Sequence, residues 1–148
     1  MFRGRHDHTI DKKGRMSIPS GFRMEMQRLG GDGAPILSRH KDHLALYPRN
    51  VWNKIEEDLI AKPNLQPDVQ AFRRFLIANA TECPIDSQGR ILVPAHQRQH
   101  ARLETKVTIA GVLDKIEIWN VGLFEQDQQV TLNRLEEIQV SVDQSSGS

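Results

Sequence analysis

Two short related runs hold the residues best suited to chemistry: Asp11-Lys12-Lys13-Gly14-Arg15 and, 75 positions later, Asp86-Ser87-Gln88-Gly89-Arg90. Neither is a bond-making set. An aspartate followed by glycine and arginine at this spacing suits a tight turn, in which the carboxylate accepts backbone N–H groups and glycine supplies positive φ. Asp11, Gly14, Asp86 and Gly89 are therefore read as turn-shaping residues. The cations can hold phosphate or pair with a nearby carboxylate, and for Arg15 a nucleic-acid contact and a surface salt bridge to Asp11 stand level on these residues alone. Arg90 is open in the same way, between an outward contact and a buried partner of Asp86.

The charge distribution favours an anionic partner more than the total does. Net charge is only +1. Residues 1–28 nevertheless carry seven basic against three acidic side chains, whereas residues 104–148 carry three against eight. A basic amino-terminal zone and an acidic carboxyl-terminal zone follow. Hydrophobic residues make up 38% and mean hydropathy is −0.53, a soluble composition lean enough that some burial is expected to come from a partner. No run approaches the roughly 18 apolar residues of a membrane span, and Met1-Phe2-Arg3-Gly4-Arg5-His6 lacks the apolar centre of a signal peptide, so a cytoplasmic protein without a membrane partner is expected. The single Cys83 fits a reducing compartment and a buried small side chain.

An enzyme fares badly on these residues. Phosphate-binding glycine loops, nucleophile elbows and framed carboxylate pairs are missing from the sequence, so no catalytic residue, small-molecule substrate or cofactor is expected. The pairs His6/His8, His40/His43 and His96/His100 lack an acidic or cysteine ligand beside them and are read as ordinary polar residues, not metal sites.

The two turns belong to a longer internal repeat. Arg15-Met16-Ser17-Ile18-Pro19 is matched by Arg90-Ile91-Leu92-Val93-Pro94; the match runs back through Ile10 and Ile85 and forward through Arg23 and Arg98. Leu44-Ala45-Leu46-Tyr47 with Trp52 recurs 72 positions later as Ile116-Glu117-Ile118-Trp119 with Phe124. Self-similarity on this scale means two copies of one unit. Each copy reads as short strands with one or two helices: a hairpin from Thr9-Ile10 through the turn to Ile18, a helix from Pro19 to about Leu29, strands at 35–38 and 43–47, and a helix capped by Asn50. The expected division is a first repeat at 1–62, a connecting helix at 63–80, a second repeat with a final helix at 81–140, and a disordered polar tail at 141–148. Tyr47, Trp52, Trp119 and Phe124 are placed in core or interface, and Arg73 and Arg74 on a solvated helix face or subunit contact.

The paired Asp-x-x-Gly-Arg turns, the opening Met1-Phe2-Arg3-Gly4, Leu46-Tyr47-Pro48 before a Trp-bearing helix, Ala80-Thr81-Glu82-Cys83 and Ile116-Glu117-Ile118-Trp119 together resemble the MraZ family of bacterial transcription regulators. The resemblance covers nearly the whole chain. It implies an α+β fold of two tandem SpoVT/AbrB-like half-units forming an intertwined, double-split β-barrel with peripheral helices. It also implies a homo-oligomeric ring, associated with the nucleoid, that binds short direct repeats in double-stranded DNA upstream of the division and cell-wall gene cluster as a repressor. Carried over by position, the DNA-binding surface centres on Arg15 with Lys12 and Lys13. Arg90 is the second-copy equivalent, in a turn where Ser87 and Gln88 have replaced the lysines. Arg3 and Arg5 are further phosphate contacts from a mobile start. One turn offers too few contacts for tight specific binding, so several copies must engage successive repeats. An antitoxin-like module or a structural oligomer of the same fold is the alternative.

Overall fold

Prolines set where the helices begin. Pro19, Pro48 and Pro94 each end an extended stretch with φ near −55° and immediately precede a helix, because proline cannot continue a ladder yet suits a helix entry. In the computed structural model, which describes residues 1–146, the first copy comprises β1 (Phe2–Thr9), β2 (Arg15–Ser17), α1 (Ser20–Gly30), β3 (Ile36–Arg39), β4 (Leu44–Tyr47) and α2 (Arg49–Ile60). Helix α3 (Pro67–Ile77) follows. The second copy comprises β5 (Thr81–Glu82), β6 (Arg90–Leu92), α4 (Ala95–His100), β7 (Lys106–Leu113), β8 (Lys115–Asn120) and α5 (Val121–Asn133), and α6 (Leu135–Ser146) comes last. Asn120 stands where the first copy has Pro48, and its side chain accepts the Leu123 N–H at 3.1 Å as an N-cap.

The strands form an antiparallel six-stranded sheet in the order β1-β7-β8-β4-β3-β5 and a separate ribbon of β2 and β6. Exchanging the two copies maps this order onto itself. At the centre of the sheet Ala45 faces Glu117, and in the ribbon Met16 faces Ile91, so in both places a residue lies opposite its own repeat counterpart. A pseudo-twofold axis passes through both pairs. The first strand of each copy pairs with the third strand of the other, β1 with β7 and β5 with β3, so neither copy can complete its sheet alone. The local hairpin expected around the first turn survives only as the Ile10–Met16 bridge; the main partner of β1 is β7 and that of β2 is β6.

Strand alternation divides the sheet into two faces. Leu44, Leu46, Ile116 and Ile118 point inward with Met16, Ile91 and Val93 of the ribbon and are essentially inaccessible. Fully burying each such side chain contributes about 1.5–3 kcal/mol. On the outer face, Tyr47 packs with Trp52 and Leu76 under α2 and α3, and Trp119 packs with Phe124 under α5. Between these caps lies a polar strip at the pseudo-axis. His43 stacks on Trp119 at 4.1 Å and on His40 at 4.9 Å, while the Glu117 carboxylate accepts the Trp119 indole N–H at 3.0 Å and lies 3.4 Å from both Lys115 Nζ and His43 Nε2.

Burial works to raise the Glu117 carboxyl, but the His43 and Trp119 contacts and the Lys115 charge outweigh it and hold the group at about 2 against an ordinary 4.5. A depressed carboxylate contributes stability that is present above the unfolded value and lost as pH falls through the folded one. Glu117→Gln is therefore expected to flatten the decline of melting temperature between pH 4.5 and 2. Parallel thermal melts of the two proteins through that window check this; identical profiles would mean the strip carries no linkage.

Two differences from sequence expectation concern the chain ends. Residues 2–9 form an eight-residue strand paired along its whole length, not a mobile start, because β7 offers an equally long edge. The final helix is two helices broken at Arg134, and α6 continues through Ser146, across most of the stretch expected to be a disordered tail. Positions 147–148 of that stretch lie outside the described residues.

Candidate nucleic-acid interface

The two turns are near-copies at atomic detail. Asp11 Oδ1 accepts the Lys13 and Arg15 backbone N–H groups, both at 2.9 Å, and Asp86 Oδ1 accepts those of Gln88 and Arg90 at 2.8 and 2.9 Å. Gly14 and Gly89 close the bends with φ of +93° and +79°, a region closed to most L-residues. These backbone hydrogen bonds come first among the causes that hold both aspartates below the usual carboxylate range. The carboxylates thus stay ionised as acceptors, and they close the turns through backbone N–H groups that do not depend on the side chains of Arg15 or Arg90.

The side chains differ between the turns. Arg15 Nε donates to Asp11 Oδ2 at 2.9 Å with its side chain part-exposed, and Lys12 and Lys13 are exposed beside it. Arg90 is half-buried; its Nε lies 3.5 Å from Asp86 Oδ2 without a hydrogen-bond partner. Arg15, Ser17, Arg90 and Leu92 share the outer face of the β2–β6 ribbon, since Met16 and Ile91 take the inner one. Arg15 and Arg90 are diagonal neighbours across the ribbon, about 7–8 Å apart. The result is a short two-stranded ribbon with two arginines on its face and two lysines at one end.

Arg5 is committed elsewhere. It pairs with Glu125 at 2.5 Å and Asp7 at 3.3 Å, and its guanidinium sits 4.9 Å over the Phe124 ring. Arg3 is exposed on β1 and borders the first turn of α1, near Pro19 and Glu25.

Sequence reasoning did not assign a role to the residues that brace the turns. Arg98, on α4 of the second copy, donates to Val93 O at 3.1 Å and to Lys12 O at 3.3 Å and lies against Gly14 of the first copy's turn. Its counterpart Arg23, on α1 of the first copy, lies against Gly89 of the second. Each copy therefore braces the other's turn. The repeated positions were visible as a pair 75 apart, but not their targets. Arg98→Ala is expected to cost about 1–3 kcal/mol of stability. It should also speed amide exchange at Lys13 and Gly14 selectively over Gln88 and Gly89. Hydrogen exchange read by NMR decides this; equal change at both turns would refute the cross-bracing.

Among the described residues, the histidines His8, His40 and His100 and the single cysteine are held in packing contacts. Among the described residues no group of three or more His, Cys, Asp or Glu side chains could hold a metal ion. His100 Nε2 contacts His40 O at 2.6 Å, and His8 Nδ1 contacts Ser17 O at 3.1 Å, so these rings serve local packing. Burial pushes the Cys83 thiol up to about 12, far from a reactive thiolate. No helix among the described residues is long and apolar enough to cross a membrane.

Fold and site together define a class: a two-repeat α+β protein whose copies exchange strands and present one strongly cationic turn beside a weaker one. Comparison with known proteins narrows this. The family profile described as "MraZ protein, putative antitoxin-like" matches residues 1–75 and 76–140. The chain is 39% identical over 143 residues to the transcriptional regulator MraZ of Caldanaerobacter subterraneus subsp. tengcongensis, covering 97% of each chain. It is 40% identical to that of Thermoanaerobacter pseudethanolicus, covering 97% of this chain and 98% of the other, and 43% identical to that of Desulfitobacterium hafniense, covering 84% of each. The chain belongs to the MraZ family.

Proposed function

We propose that this chain is a DNA-binding transcriptional regulator, not an enzyme, and that the first-copy turn is its reading element. The observation that carries the proposal is the Lys12-Lys13-Gly14-Arg15 turn, with both lysines exposed and Arg15 part-exposed, held by Asp11 from within and by Arg98 from the other copy. Arginine can pair bidentately with guanine in the major groove, while lysines hold phosphate without reading sequence. A two-stranded ribbon is narrow enough to enter that groove. The relatives bear the name transcriptional regulator, which agrees with this reading.

Lys12, Lys13 and Arg15 form the primary contact set, with Arg90 and Arg3 secondary. Arg5 would first have to leave Asp7 and Glu125. In this reading the sheet and ribbon form the double-split barrel of paired SpoVT/AbrB-like half-units, divided at 1–62 and 81–140 with α3 between. Several copies form a ring in the cytoplasm, on the nucleoid, and engage short direct repeats upstream of the division and cell-wall gene cluster, repressing it. Titration of the purified chain against direct-repeat duplexes and scrambled duplexes of equal length tests this. A clear preference for the repeats is expected, steep in salt; no binding at low salt would leave a structural oligomer instead.

A further inference from the structure

Beyond the turns, one part of the chain buries almost nothing within its own protomer. From Glu125 to the end of α6 only Thr131 and Ile138 are even half-buried among the described side chains, although the segment carries Val130, Leu132, Leu135, Val140 and Val142. Leu135, Ile138 and Val142 recur at i, i+3 and i+7, one stripe of a helix, with Glu136 beside it. Lone exposed aliphatics are ordinary, but a helical arm that displays this many is not.

An apolar groove lies on the same chain. Helices α2 and α3 leave a groove of about 400 Å³ between them, with Leu59, Ile60, Ile77 and Ala78 as its apolar lining and Arg74 at its rim. Arg73 ties the groove walls by donating to the carbonyl oxygens of Leu59 and Lys62, so the groove is braced open. Arg74 at the groove rim and Glu136 beside the stripe carry opposite charges, while the groove's own carboxylate, Glu56, accepts the Trp52 indole N–H. Among the described residues neither Lys62 nor Arg74 pairs with a carboxylate, and neither Asp127 nor Glu136 pairs with a cation.

We propose that the α5–α6 arm of one protomer docks its Leu135–Ile138–Val142 stripe in the α2–α3 groove of a second copy, with Glu136 against Arg74. This is the helix-in-groove mode of recognition. The two surfaces differ, so the contact is head-to-tail and repeats around a closed ring or along a filament. The inference rests on the multivalent assembly described above and names the surfaces that build it.

Sedimentation velocity on the full chain at micromolar concentration tests it. Val142→Glu and Arg74→Glu should each shift the wild-type assembly toward monomer, with a rise in the dissociation constant of roughly 30-fold or more. Both positions are exposed, so circular dichroism and binding to a single-repeat duplex should stay unchanged. Adding Glu136→Arg to Arg74→Glu restores opposite charges across every contact and should recover assembly. Variants that sediment like wild type, or a double variant no more associated than Arg74→Glu, would overturn the docking while leaving a multivalent regulator standing. A monomeric wild type would overturn both. A monomer with concentration-independent behaviour and a protected arm would mean the groove takes its own chain's helix.

Discussion

Arg15→Ala is expected to cost about 1–3 kcal/mol per engaged subunit in binding to a direct-repeat duplex. With two or more subunits engaged, the loss compounds to the order of a hundredfold or more. The turn itself should survive, because Asp11 holds it through the backbone N–H groups of Lys13 and Arg15, which alanine keeps. In the free protein Arg15 rests on Asp11, and a solvent-screened pair of this kind is weak, so swinging toward a base costs little. Lys12→Ala should behave differently. It should weaken repeat and scrambled duplexes alike and reduce the salt slope by about one counterion. Fluorescence anisotropy over a salt series separates the two, and an Arg15→Ala protein that binds repeats like wild type would remove the first turn from the interface. Arg90→Ala should lose less, since its turn lacks the lysines and its guanidinium is half-buried.

The second large effect is on stability. A Cβ at Gly14 would stand 2.4 Å from the Val93 carbonyl oxygen and 2.9 Å from Arg98 Nε, at a backbone φ of +93°. The side chain can yield, but the carbonyl cannot, because Val93 also donates its own N–H to Gly14 O at 2.7 Å across the pseudo-twofold ribbon. Gly14→Ala must therefore bear both the left-handed strain, about 1–3 kcal/mol, and the parting of β2 from the second copy. A total loss of about 3 kcal/mol or more is expected. Gly21→Ala is the opposite case: it lies in α1 with open space around it and should gain up to about 1 kcal/mol. Urea unfolding midpoints at constant slope measure both. Equal stability of Gly14→Ala and wild type would show that the ribbon is looser than its geometry.

The turns, the start of the first helix after Pro19 and the repeat were readable from sequence for one reason: their causes are local; Asn50, expected to cap the second helix, instead lies inside a helix that begins at Arg49 behind Pro48. Asp11 bonds residues two and four positions away, Gly14 answers to its own φ, and Pro19, Pro48 and Pro94 act on the next residue. Tertiary structure alone decided who pairs with whom. Phe2 faces Leu113, Arg98 reaches back to Lys12, and Arg5 meets Glu125. In each case the partner lies more than 80 residues away and in the other copy. A duplicated sequence is equally compatible with two units folded side by side and two units that trade strands. Only the burial obtained by trading, with β1 completing β7 and β5 completing β3 around one shared core, selects the second. The residue types that bear charge were therefore legible, but which of them remain free to meet a partner was settled by contacts that no local pattern encodes.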